Sequence, residues 1–174
     1  AGPAGSTAAA ILAEHGRRVL LLEKERMPRY HVGESLMPFC WFTLDRLGVT
    51  GQMEDRRFTQ KLSVQFVGQD GRQSRPFYFF QHRDHPSSYT WQVEREEFDQ
   101  MLFENAGAKG AVLRDGTRVR RLLKDEDGRV TGVSAESSDG SAEFHAPLTI
   151  DCTGRDAMVV AAKEGWRERD AELN

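Results

Sequence analysis

The first six residues, Ala1-Gly2-Pro3-Ala4-Gly5-Ser6, run directly into an apolar helical stretch, Thr7 to Glu14, and a second apolar run, Val19 to Glu23, then ends on an acid. No other feature constrains the fold as much. The segment reads as the latter part of G-x-G-x-x-G, with Gly2 as the second glycine, Gly5 as the third, and the first falling just before residue 1. A diphosphate can sit on a helix N-terminus only where no side chain intervenes, because free N–H groups and the positive end of the helix dipole must reach its oxygens. Gly2 meets that need. Gly5 lets the helix pack closely on a sheet, and Pro3 suits a first helical turn, where its missing N–H costs nothing. Ala8, Ile11, Leu12 and His15 recur at helical spacing, and Gly16 is a natural stop. Arg18 to Glu23 then reads as an apolar strand buried on both faces. Its terminal Glu23, about twenty residues beyond the loop, is where a carboxylate accepts the hydrogen bonds of an adenosine ribose. A glycine-bounded helix followed by a strand is also simply part of a βαβ unit. Loop, helix, strand and terminal acid in this order favour a dinucleotide site whose first strand is missing.

Composition excludes several partners. With 39% hydrophobic and 29% charged residues over 174 positions, the chain has an ordinary soluble composition and enough length for one sizeable core. A net charge of −3 gives no electrostatic case for nucleic acid or an anionic membrane, and the short cluster Arg118, Arg120, Arg121 and Lys124 reads as a solvated strand face. No segment has the apolar length to span a bilayer, so stable membrane insertion is not expected and a cytoplasmic location is. Cys40 and Cys152 are too few for a disulfide framework or a zinc site. His82 and His85 have no third ligand at suitable spacing, so no metal site is expected.

The remaining elements follow from period and punctuation. Glu34-Ser35-Leu36 opens a predicted helix through Leu47, with Pro38 in its first turn. Lys61 to Val67 alternates as a strand, Asp70-Gly71 is a hairpin turn, and Pro76 to Phe80 is an aromatic run. A strand over Tyr89 to Val93 feeds a helix from Glu94 to Ala106, ended by Gly107 and Gly110. Asp127-Gly128 and Asp139-Gly140 join Val119 to Leu123, Val130 to Ser134 and Ala142 to His145 into a β-meander. A last strand through Pro147 to Ile150 leads into Asp151-Cys152-Thr153-Gly154-Arg155, and a helix follows from Asp156 to Glu164. The predicted class is α/β. Regular βα units would suit a nicotinamide domain. An antiparallel insertion followed by a late Asp-x-x-Gly loop suits FAD.

Five segments together carry a family resemblance: Gly2-Pro3-Ala4-Gly5-Ser6, Leu22-Glu23-Lys24, Pro28-Arg29-Tyr30-His31-Val32-Gly33-Glu34-Ser35-Leu36, Trp91-Gln92-Val93-x-Arg95-x-x-Phe98-Asp99 and Asp151-x-x-Gly154-Arg155. The chain resembles flavin-dependent halogenases, within the p-hydroxybenzoate-hydroxylase-like flavoproteins that also include geranylgeranyl reductases. The Pro28 to Leu36 block is the most specific part. The resemblance implies a Rossmann-like FAD-binding fold with a β-meander and an antiparallel insertion, in an N-terminal fragment. Residues 1–60 and 94–164 would form the dinucleotide-binding part and 61–93 the start of the substrate-side insertion.

By position, the resemblance implies that Gly2, Pro3, Ala4, Gly5 and Ser6 serve the FAD pyrophosphate, and Glu23 with Lys24 the adenosine side. Arg29 with the Gly33-Glu34-Ser35 turn would line the flavin, Gln92 and Arg95 would reach the ribityl and phosphate portion, and Asp151 and Gly154 would close over the cofactor. Arg95 also reads as a surface charge, Glu34 as a cap-region acid and Asp151 as a strand-end turn. Lys61 falls where these halogenases carry their active-site lysine. Reduced FAD and O₂ would supply the oxidising equivalents, halide would become hypohalous acid, and the lysine nitrogen would orient or carry it. As the start of an exposed strand, Lys61 equally reads as solvated. The implied partners are a small-molecule or carrier-bound substrate and a flavin reductase supplying reduced FAD. Reduction of an isoprenoid double bond, or an inactive truncated piece, are the alternatives. The Trp-x-Trp-x-x-Pro segment of halogenases does not occur within these residues.

Overall fold

The computed structural model describes residues 1–161. They divide into two compact units, one formed by Ala1–Arg29 with the chain from Asp99 onward, the other by Tyr30–Phe98.

In the first unit, α1 (Pro3–Glu14) starts a full turn before the apolar periodicity, because Pro3 takes the first helical position with its preset φ. Gly16, at φ 73°, turns the chain away from it. The short side chains Ala9, Ala10 and Ala13 form its buried face. β1 (Leu20–Leu22) runs parallel to β6 (Val112–Arg114), with Leu21 opposite Leu113. The expectation of a strand buried on both faces is corrected here: Leu21 is buried but Leu20 is 36% exposed. Alternation puts only Leu21 beneath α1, and its neighbours point to the opposite face.

The helix α4 (Arg95–Ala108) runs through Gly107, which the sequence assigned as a terminator. A Cβ at Gly107 would lie 2.7 Å from Leu113 Cδ1, so this glycine permits close helix–strand approach, and Gly110, at φ 104°, makes the turn. Three antiparallel strands follow in sequential order, β7 (Arg118–Lys124), β8 (Val130–Ser137) and β9 (Gly140–His145), with Leu122 opposite Val133 and Ala135 opposite Ala142. This is the expected meander. The expected strand at Pro147–Ile150 does not form: Leu148 and Ile150 are exposed. A strand exists through its partner's hydrogen bonds, and no described segment pairs with this one. A 3₁₀ turn (Gly154–Asp156) leads to α5 (Met158–Ala161). The rest of the helix expected to Glu164 lies outside the described residues.

In the second unit, α2 (Cys40–Leu47), stopped by Gly48 at φ 74°, and α3 (Thr50–Asp55) bury Leu44, Leu47 and Met53. The helix expected from Glu34 begins six residues later. Residues 34–36 are extended instead, because β5 (Thr90–Gln92) takes up their backbone: Leu36 N–H donates to Trp91 O, Val93 N–H donates to Glu34 O, and Ser35 bridges Gln92. Pro38 also disfavours a helical Met37. The strand expected over Lys61 to Val67 is split. β2 (Thr59–Lys61) pairs with β5, and β3 (Ser63–Val64) pairs with β4 (Phe77–Tyr78), so two partners on different lines break it at Leu62. The Asp70-Gly71 turn forms, and the aromatic run leaves β4 for a 3₁₀ turn (Phe79–Gln81). No described helix is long and apolar enough to cross a membrane.

Candidate cofactor and active site

Gly2 is the N-cap of α1, and no side chain caps the helix. The first turn therefore keeps its N–H groups for a ligand, since the earliest intrahelical bond runs from Ser6 N–H to Gly2 O. Ser6 is fully buried, and Pro3 and Ala4 lie at the accessible side of the turn. A Cβ at Gly5 would meet Cys152 Cβ at 3.3 Å and Leu21 Cδ1 at 3.5 Å. Gly5 thus brings α1 against both β1 and the late loop, as its position in the motif requires.

Glu23 continues the β1 line: its N–H donates to Arg114 O and its carbonyl accepts from Thr117 N–H. The carboxylate is 5% exposed, accepts from Glu25 N–H at 3.1 Å and pairs with Arg29 Nε at 3.3 Å. Burial pushes its pKa up. The Glu25 amide and the Arg29 guanidinium pull it down. Arg29 Nη1 lies 3.1 Å from Asp99 Oδ2, a carboxylate with no exposure, and a Cβ at Gly2 would stand 3.6 Å from Arg29 Nη2. Arg29 therefore sits among Glu23, Asp99 and Gly2. Asp99 was quoted in the sequence motif but given no role. Its signal was an acid on a buried helical face, visible only once α4 is placed.

Lys24 leaves the glycine loop and pairs with Asp156 at 2.6 Å on the surface. The Asp156 hydrogen bond and charge pairing with Lys24 hold its pKa below the usual value. In the late loop, Asp151 Oδ1 accepts from Thr153 N–H and Oγ1, and Oδ2 accepts from Val159 N–H at 2.8 Å. Burial alone would raise the Asp151 pKa, but these hydrogen bonds lower it overall. Both carboxylate oxygens thus fold the loop, while Gly154, at φ 63°, carries its turn.

In the second unit, Arg95 Nη1 donates to Val32 O at 2.9 Å and Gly33 O at 3.4 Å. A Cβ at Gly33, which has φ 113°, would lie 3.0 Å from that nitrogen. Arg95 is thus a clamp on the Gly33-Glu34-Ser35 turn. The antiparallel register puts Ser35 opposite Gln92 on one edge of β5 and Lys61 opposite Thr90 on the other. Directly opposed and alternate residues share a face. Lys61 Nζ reaches along that face to donate to Ser35 Oγ at 2.7 Å and Leu36 O at 3.3 Å, and lies 5.9 Å from the Phe79 ring centroid. The ammonium is held by the segment most specific to the family resemblance.

Beside Phe79 is a cavity of about 270 Å³ lined by Pro38, Phe39, Phe42, Phe77, Arg83 and the buried Ser87 and Ser88. His82 stacks on Phe77 at 4.0 Å, and His85 stacks on Phe42 while its Nδ1 accepts from Ser87 N–H. Both imidazoles serve the aromatic packing. Among the described residues no group of three or more His, Cys, Asp or Glu could hold a metal ion.

Residues 1–168 match the model of a family described as FAD binding domain. A tryptophan 2-halogenase of Chondromyces crocatus is 35% identical over 159 residues, which cover 91% of this chain and 30% of that protein. A 1H-pyrrole-2-carbonyl-[peptidyl-carrier protein] chlorinase of Pseudomonas fluorescens is 31% identical over 190 residues, covering 99% of this chain and 42% of the relative. Among solved structures, the myxobacterial chondrochloren halogenase CndH superposes with a TM-score of 0.77 at 37% identity, over 83% of this chain and 33% of that one. The chain thus spans about a third of the length of such relatives.

Proposed function

The chain belongs to the FAD binding domain family, and from that membership we propose that it is the cofactor-binding part of a flavin-dependent halogenase acting on an aromatic or carrier-bound substrate. The observation that carries the reading is the Lys61 ammonium, 2.7 Å from Ser35 Oγ on the Gly33 to Leu36 segment. A lysine that is merely solvated has no reason to spend its rotamer freedom, up to about 2 kcal/mol, on such a contact.

The residues present fit FAD. Its diphosphate suits the uncapped N-terminus of α1 at Gly2, Pro3 and Ala4, where Gly5 and Ser6 close the turn, and its ribose hydroxyls suit the buried carboxylate of Glu23. Arg29 supplies positive charge beside Gly2, while Lys24 with Asp156 and the Asp151–Gly154 loop border the same unit. Gly33, Glu34, Ser35, Gln92 and Arg95, in the second unit, are the further FAD contacts that the family resemblance implies. When bound and reduced, FAD supplies the electrons that activate O₂. Lys61 Nζ would hydrogen-bond hypohalous acid or, once deprotonated, attack its halogen, forming the N–X bond as the O–X bond breaks and the released hydroxide leaves as water with a proton from the nitrogen. We assign residues 61–93 to the start of the substrate-side insertion and 1–60 with 94–164 to the dinucleotide part, with Pro38, Phe39 and Phe42 of the latter lining the same cavity as Phe77, Phe79, Arg83, Ser87 and Ser88. A flavin reductase supplies reduced FAD, and the cytoplasm is the compartment that suits such a supply.

The test uses the full-length protein with a flavin reductase, halide and aromatic substrates. Lys61→Ala abolishes halogenation and leaves oxidation of reduced flavin by O₂ intact. Undiminished halogenation removes Lys61 from the mechanism, and saturation of a prenyl chain without halide would replace halogenation by isoprenoid reduction. The inactive-piece alternative is tested by adding FAD to the purified 174-residue piece, where stoichiometric bound-flavin absorbance would contradict it.

A further inference from the structure

Asp99 is a carboxylate with no solvent exposure, contributed by α4 rather than by the glycine loop or β1. Burying a carboxylate costs several kcal/mol, and an apolar residue of similar volume is often no less stable at such a position. Its single charge meets Arg29 Nη1 at 3.1 Å, while Arg29 Nε meets Glu23 Oε2 at 3.3 Å and Nη2 faces Gly2. A guanidinium is a rigid planar fork, so fixing one nitrogen fixes the direction of the others. Fastened by Asp99, the fork is directed at the ribose acid and the helix N-terminus together.

We propose that Asp99 is a positioning residue for dinucleotide recognition: it holds Arg29 so that one guanidinium orients the Glu23 carboxylate for the ribose and presents positive charge to the diphosphate at the start of α1. The proposal rests on the FAD reading above. Asp99 itself touches no cofactor. Its effect on the ligand runs through Arg29, which predicts that Asp99 and Arg29 act as one unit.

The test is a double-mutant cycle on the full-length protein, with dissociation constants for FAD from flavin fluorescence and for ADP from competition, under conditions where circular dichroism shows each variant folded. Asp99→Asn removes the charge at nearly constant volume and is expected to weaken both FAD and ADP by at least about 10-fold, a difference of about 1.4 kcal/mol. In an Arg29→Met background the same change is expected to move either constant by less than about 2-fold, because coupled residues are non-additive. Additive losses, or an Asp99→Asn protein that binds ADP as the wild type does, overturn the proposal. If Asp99→Asn does not fold, Arg29→Lys keeps the charge without the fork. Weakened ADP binding then supports the proposal and unchanged ADP binding overturns it. A wild-type protein that takes up neither FAD nor ADP overturns the FAD reading, and the proposal with it. Wild-type binding with an indifferent Asp99→Asn overturns the proposal alone.

Discussion

Replacing Arg29 by methionine keeps a long side chain and removes the cation shared by Glu23 and Asp99. The wild-type contacts are 3.3 and 3.1 Å, between a guanidinium 10% exposed and carboxylates 5% and 0% exposed. At an effective dielectric near 20, each contact carries roughly 5 kcal/mol of raw attraction. Desolvation, at several kcal/mol per ion, takes most of that back when the cluster forms. Arg29→Met loses the attraction and leaves both acids buried, so it destabilises the fold by about 3–5 kcal/mol at neutral pH. Burial pushes the Glu23 pKa up, while the Glu25 amide and the Arg29 guanidinium pull it down from 4.5. A depressed carboxylate contributes stability that is fully present above its unfolded value and is lost as pH falls through the folded one. Arg29 supplies part of that depression. The gap between wild type and Arg29→Met is therefore full at pH 7 and shrinks as pH drops below 4.5. Urea unfolding of both proteins at pH 7 and near pH 4 measures it. A loss under about 1 kcal/mol at pH 7, or a gap that widens on acidification, refutes the reasoning.

Two further perturbations examine the loops on either side of this cluster. Gly5→Val puts methyl groups where a Cβ alone already meets Cys152 Cβ at 3.3 Å. It is expected to cost about 1–3 kcal/mol and to lower FAD retention, seen by urea unfolding and bound-flavin absorbance, and wild-type values in both would contradict the close-approach role of this glycine. Asp151→Ala removes the acceptor of Thr153 and Val159 and is expected to cost about 1 kcal/mol, as for a lost helix cap. Burial raises the Asp151 pKa but the hydrogen bonds lower it overall below 3.8, so this contribution is present above 3.8 and disappears as pH falls through the folded value. An undiminished difference at strongly acid pH would exclude the carboxylate as its source.

The dinucleotide loop, α1, the acid-terminated β1 and the meander were legible because each is encoded by neighbouring residues: glycines where backbone must be bare, a proline at the first helical position, alternation with Asp-Gly turns. The failures have a common cause. Glu34 to Leu36 is extended because β5 takes its backbone, the strand expected from Lys61 to Val67 splits between β5 and β4, and Leu148 to Ile150 forms no strand where no described segment pairs with it. Propensity is local, whereas a strand is a relation to a partner distant in sequence.

The same division separates the parts of the site. From order and spacing alone, the sequence determined that a helix N-terminus would be left bare at Gly2 and that an acid would stand at the end of the next strand. Only the tertiary structure decided what fixes them. It brought Asp99, 70 residues after Arg29 in the numbering, to the far side of its guanidinium, and it carried the Lys61 ammonium along the β5 face to Ser35. Charge pairing and hydrogen bonding act over a few ångströms of space, so partners of that kind leave no periodic trace along the chain.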